Sequence, residues 1–481
     1  MAALRAALYL AAPLLLAACG SSSQIAATAP GASARGCHAD WPVVAHRAGG
    51  VVVALPAGTG LPVACAMETG YASSESTLAV MGDGALIYSP AQSENSVTRS
   101  ADGGSTWTLA YPIGAQPTGF WNTVDPFLIQ DRRTGRLFWS HATGPVRNET
   151  GLPQGLGFEL AAAYGFQVYS SSDEGQNWST ADYSTAPTGD WEQVFTGPAP
   201  AGAPQPKGYP DVVYLCANAP VEAVGPGRLC YKSLDGGASF ALAGFTSPTA
   251  SNPADICPPL NFNVGVVDSA GAIYIPATCM QSAYVAVSRD EGSSYTWIPQ
   301  RDAPPGPLVS GNYLHLAVDD ADNLYAMWPA GNGLYLTVSR DHAVSWSKPL
   351  MVAAPSTQGV HRPAFAAGAP GQLAFTYYAS SDPSAQMLSA YITQTLDALD
   401  PQPLFYSGLL NDPAKPIFHD YGLTTDAPRA DFVDGAYDPA GTSFWAGVVK
   451  QFGPADANGQ IATTGYVGRL LFDPSTPAHL P

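Results

Sequence analysis

Two carboxylates, Asp125 and Asp211, stand just before apolar runs, in Asn122-Thr123-Val124-Asp125-Pro126 and in Tyr209-Pro210-Asp211. Carboxyl groups brought together across a glycosidic bond serve as general acid and general base, and their separation sets the stereochemical outcome. Other polar side chains precede apolar runs in the same way: Glu75, Asn263, Tyr313 with His315, His361 with Arg362, and Arg429 with Asp431. Gathered in one concavity, they offer hydrogen bonds to hydroxyls and flat rings for apolar sugar faces. In Gly359-Val360-His361-Arg362-Pro363 an imidazole and a guanidinium sit beside a proline-stiffened strand start, where Arg362 would orient a substrate. The pattern predicts a saccharide site with Asp125 and Asp211 as the catalytic pair. Arg362, His361, Arg429, Asp431, Asn122, Asn263, Tyr313 and His315 are then the binding residues. The same residue types also satisfy inner-strand backbone groups and ordered water, so a purely structural role stays open.

Other chemistries have no foothold. The chain contains no Gly-x-Ser-x-Gly elbow, phosphate loop, His-Glu-x-x-His pair or EF-hand loop. Asp319-Asp320-Ala321-Asp322-Asn323 reads as a solvated turn rather than a calcium site. No cofactor and no metal are expected. A formal net charge of −18 disfavours nucleic acid and anionic membrane surfaces as partners.

The elements that must position these residues are short strands. With 49 Gly, 44 Pro and only 12% charged residues in 481, the composition is that of a turn-rich all-β chain. An apolar strand, a polar turn and a second apolar strand recur in units beginning near residues 75, 121, 208, 262, 312, 360 and 430. The stretches 141–160, 181–207 and 401–428 read as loops. Between the units runs a repeated phrase: Ser100-Asp102-Gly104-Trp107, Ser171-Asp173-Gly175-Trp178, Ser233-Asp235-Gly237-Phe240, Ser288-Asp290-Gly292-Tyr295 and Ser339-Asp341-Ala343-Trp346. Its Asp residues lie 71, 62, 55 and 51 positions apart, a loose period that marks a radial or stacked repeat fold. Ser and Asp accept backbone N–H bonds in tight turns, Gly supplies positive φ, and the ring packs back on the hairpin. The phrase is a hairpin staple, and five equivalent turns cannot serve one catalytic site.

This phrase resembles the Asp box of the sialidase-like, BNR-repeat β-propellers, and the likeness spans about residues 70 to 472. The resemblance implies a single propeller; the unit count favours seven blades, and likeness to true sialidases would favour six. Sialidases clamp a carboxylate with three arginines and use a Tyr nucleophile, a Glu and an Asp acid/base. Arg47, Arg362 and Arg429 are the arginines near inner-strand starts, which makes Arg47 a further binding candidate. The family's first arginine motif is replaced by Ala45-His46-Arg47-Ala48-Gly49. No Tyr–Glu pair is assigned among Tyr377, Tyr378, Tyr421, Glu68 and Glu75. These departures disfavour authentic sialic-acid hydrolysis.

Arg5 precedes the apolar run 6–16, which ends in Leu16-Ala17-Ala18-Cys19. That is signal-peptide form, and it resembles the bacterial lipobox, in which the Cys is lipidated. The expected organisation is a signal peptide over 1–18, a lipidated tether over 19–36 and one propeller over 37–481. The protein would be anchored in the bacterial cell envelope at Cys19 and be monomeric. Six cysteines remain, and pairing of neighbours gives Cys37–Cys65, Cys216–Cys230 and Cys257–Cys279. Two functional readings follow: a glycan binder that also hydrolyses, or a non-catalytic envelope module for protein interaction.

Overall fold

The computed structural model describes residues 41–478 except 91–95, 113–119, 123–126, 146–163, 181–183, 189–190, 219–226, 247–262, 280–281, 301–313, 383–384, 386, 420–432, 453–461 and 474. Its strands pair antiparallel into seven sheets among the described residues. Their innermost strands are Thr77–Val80, Phe127–Gln130, Gln193–Gly197, Val266–Val267, His315–Val318, Gln358–Ala367 and Asp434–Tyr437. Each packs on the next in that order, and Asp434–Tyr437 packs on Thr77–Val80, so the ring closes on itself as a β-propeller.

Closure is fastened by the N-terminal segment. Val63–Glu68 becomes the outer strand of the seventh sheet by pairing with Ala462–Leu471. Val43–Arg47 pairs with Phe405–Leu409 at the edge of the sixth. Apolar faces of neighbouring sheets meet in separate core layers. Between the fourth and fifth, for example, Tyr274, Val285, Leu316, Leu324 and Trp328 share one cluster. Every sheet lends one face to each such layer, so none buries its surface alone.

The repeated phrase joins the third strand of a sheet to its fourth, and in all five copies the bonds are the same. Ser Oγ accepts the N–H of Gly104, Gly175, Gly237, Gly292 or Ala343 at 2.8–3.0 Å. It donates to the Asp carboxylate at 2.7–2.9 Å. The sixth sheet carries a version the sequence pattern missed: Thr395 Oγ1 donates to Asp397, which also accepts the Leu404 N–H, both at 2.8 Å. Turns between first and second strands are stapled too, by Asp83, Asp131, Asp268, Asp319 and Asp438 accepting nearby N–H groups. Strands alternate in direction, so both kinds of turn fall at one end of the ring. The starts of the inner strands lie at the other.

Three stretches read as loops contain strands. Leu137–Pro145 runs into the first, Gln193–Gly197 lies in the second, and Phe405–Leu409 and Phe418–His419 lie in the third. The innermost strand of the third sheet is therefore Gln193–Gly197, and the run after Asp211 is its second strand, Val212–Asn218. Five residues ahead of a proline-rich turn were too short to register as a strand.

The disulfide Cys216–Cys230 is present, joining directly opposite residues of adjacent strands. Cys65 is also disulfide-bonded. Cys19, Cys37 and Cys257 lie outside the described residues, as does the Cys279 side chain.

Candidate functional site

The open end of the ring collects the residues that begin the inner strands. Asn263 of the fourth sheet donates from Nδ2 to His315 Nε2 of the fifth at 3.0 Å. Burial pushes the His315 imidazole down to about 3, so the ring is neutral and its Nε2 is an acceptor. This pair joins two sheets that are separate in sequence, and it was legible as two polar residues at strand starts.

Arg362 stands on a bulge. The register of Gln358–Ala367 against Leu373–Ser380 shifts on both sides of His361. Gly359 and Arg362 take positive φ, 59° and 48°, and Pro363 follows. A bulge re-aims side chains, and left-handed backbone at an arginine is held only where surroundings over-determine it. Here the guanidinium lies 5.1 Å from the Phe418 ring centre. Phe418 in turn stacks at 4.2 Å on Tyr378. The Tyr378 hydroxyl accepts the Val449 N–H and donates to its carbonyl, at 2.7 and 2.8 Å. Arg362 thus rests on an aromatic support anchored to the seventh sheet, where a planar cation is well placed for a polar ligand.

The acids at this end act as stitches. Asp434 accepts the N–H groups of Gly435 and of Leu78 in the first sheet, both at 2.8 Å. Burial nevertheless pushes its carboxyl up to about 6, against those two bonds. Glu192, fully buried, accepts the Ala142 N–H of the second sheet. Glu75 is 5% exposed. Beside Glu192, the fully buried Arg228 donates to Gln193 Oε1 at 3.0 Å. The sequence reading passed over Glu192 because the strand Gln193–Gly197 went unrecognised, and it set Arg228 aside as a loop or hairpin residue although it begins the strand Arg228–Ser233.

Asp434 gives a pH expectation. Its folded pKa lies above the unfolded value, so the ionised form disfavours the fold, and stability falls as pH rises from about 4 through about 6. Relative to Asp434→Asn, the wild type should lose on the order of 2–3 kcal/mol between pH 4 and pH 7, read from urea midpoints. A pH-independent difference between the two proteins would contradict this.

Two candidate residues belong elsewhere. Asp211 lies between the first and second strands of the third sheet, at the stapled end, where Arg133 grips it through Nε at 2.9 Å and through Nη2. Burial raises its carboxyl to about 6, with Asp131 adding to the rise and Arg133 opposing it. Asp211 therefore does not form a catalytic pair at the open end. Its neighbour Tyr209 bonds Asp131 and Thr134. Arg47 ends an edge strand of the sixth sheet and donates to the Gln402 carbonyl, again at the stapled end, so it is not a funnel residue. Asp125, Tyr313, Arg429 and Asp431 lie outside the described residues, and Asn122 is placed only by its backbone, opposite Thr143.

No family model and no curated protein matches the chain. Among solved structures it is similar to a protein of unknown function from Dyadobacter fermentans, at 14% identity over 72% of this chain and 97% of that one, TM-score 0.42. It is similar to the NanB sialidase of Streptococcus pneumoniae, at 11% identity over 88% and 71%, TM-score 0.44. It is similar also to an α-L-arabinofuranosidase of Fusarium graminearum, at 12% over 82% and 92%, TM-score 0.42. At these values the likenesses decide nothing about activity, and the propeller rests on the chain's own strand pairing.

Proposed function

We propose that this protein is an exported bacterial lipoprotein, anchored at Cys19, whose seven-bladed, Asp-box propeller recognises a glycan at the open end of its ring. The seven sheets and their closed cycle of inner strands support the blade count. The observation that carries recognition is the convergence of Asn263–His315 and the bulge-borne Arg362 at the entrances of neighbouring inner strands. An amide, a neutral imidazole and a guanidinium provide donors and acceptors suited to sugar hydroxyls, and the aromatic support stiffens them.

The reading is binding rather than turnover. Asp434 and Glu192, acids at this end of the ring, are engaged by backbone N–H groups that hold sheets together. A glycoside hydrolase needs two carboxyl groups free to face one bond. Asp125, the other half of the expected catalytic pair, lies outside the described residues.

A glycan array on the purified protein, combined with a screen of chromogenic glycosides, tests the proposal. Arg362→Ala and the double change Asn263→Ala/His315→Ala should each weaken binding by about tenfold or more, since each removes a hydrogen-bonding group worth roughly 1–3 kcal/mol. Full retention of binding by both folded variants would remove the open end as the site. Turnover of any glycoside would restore the hydrolytic reading.

A further inference from the structure

At the open end, the seventh sheet turns a row of polar and aromatic side chains toward the sixth. Phe444–Phe452 runs back to this end, where Lys450 pairs with Thr464 and Phe452 with Ala462. Val448 pairs with Tyr466, and Tyr466 with Glu68 of the outer strand. Side chains alternate along a strand, so Phe452, Lys450, Tyr466 and Glu68 share one face. Deeper on that face, Ala446 and Val448 pack in one core layer with Tyr378 and Phe418 of the sixth sheet. The row is therefore the upper, outward part of the cleft between these two sheets.

The row continues from Arg362. The Gln451 N–H donates to the Ile417 carbonyl at 2.8 Å, and Gln451 Oε1 accepts the His419 N–H at 2.6 Å. Phe418, the ring that carries the Arg362 guanidinium, thus runs alongside the segment bearing Lys450 and Phe452. Lys450 Nζ lies 5.1 Å from the Phe452 ring centre and 5.8 Å from that of Tyr466, and it is ion-paired with Glu68. Exposure grows outward: Phe418 and Tyr466 are buried, Lys450 is half-buried, Glu68 is exposed and Phe452 is 45% exposed. A fixed, exposed ring offers a flat apolar face, and the ion pair beside it offers donors and acceptors without net charge. Those are the surfaces that a neutral sugar ring and its hydroxyls require. From the inner strands to the outer strand the cleft crosses three strand spacings, roughly 14 Å, more than one sugar ring covers.

We propose that the glycan held at the open end is a neutral oligosaccharide that leaves the axis along this cleft. Its first sugar meets Arg362, and a later sugar lies on Phe452 with its hydroxyls at Lys450 and Glu68. The inference rests on the open-end reading and adds direction and length to it. The test titrates malto-, cello-, xylo- and chito-oligosaccharides of one to four sugars into the intact protein by calorimetry.

In the series that binds, affinity should rise about tenfold between one sugar and three. Phe452→Ala should flatten that rise, and Phe452→Trp, which keeps a platform, should preserve it. Should Phe452→Ala not fold, Lys450→Met carries the same expectation. Arg362→Ala should weaken every length by a similar factor, because it acts on the first sugar. Affinity independent of length, or a rise that survives both Phe452→Ala and Lys450→Met, overturns the proposal while the open-end site stands. Binding by no series at all overturns it together with the open-end reading.

Discussion

Asp319→Ala is expected to destabilise the propeller by roughly 3–6 kcal/mol, because it strands several buried donors at once. The side chain is 4% exposed. One carboxylate oxygen accepts the N–H groups of Ala321 and Asn323 at 2.9 and 3.0 Å. The other accepts the Tyr325 hydroxyl at 2.7 Å and the Gly371 N–H of the sixth sheet at 3.1 Å. The residue therefore closes its own turn and fastens the next sheet. Asp319→Asn should fall between the two proteins, since its amide presents a donor where an acceptor is required. Thermal and urea midpoints provide the readout, and a melting temperature within a degree or so of wild type would refute the assignment.

Removing the Cys216–Cys230 bond is the second large effect. The two residues are 14 apart and face one another across adjacent strands of the third sheet. A loop of this length stabilises by about 3 kcal/mol through restriction of the unfolded chain. Both side chains are 1% exposed in a core layer with Phe195, Tyr214 and Ile273, so alanines also leave unfilled space. Cys216→Ala/Cys230→Ala should therefore lower the urea midpoint more than reduction of the wild type does. Equal midpoints for the double variant and the oxidised wild type would show that the bond contributes nothing.

The staples were readable because their bonds close within a few residues. A hydroxyl, a carboxylate two positions on and a glycine four positions on specify the same hydrogen bonds wherever the chain repeats them. Thr395–Asp397 was missed only because its later residues depart from the pattern. The Cys216–Cys230 pair was legible for the same local reason. Asp319 shows where local reading stops: four polar residues in a run of five suggest a solvated turn, and only the neighbouring sheet, through Gly371, makes the carboxylate buried.

The residue types thus settled the all-β repeat, its stapled turns and the polar strand starts. Which end of the ring each candidate occupies was settled by long-range pairing. In an antiparallel sheet the end alternates with every strand, so overlooking the short strand Gln193–Gly197 was enough to move Asp211 from one end to the other. Arg47 moved because its strand pairs with Phe405–Leu409, far away in sequence, which no local pattern announces. His315 kept its place because its strand does begin where the apolar run begins. Arg362 kept its place because its strand, although it begins earlier at Gln358, is the inner strand of its sheet as expected.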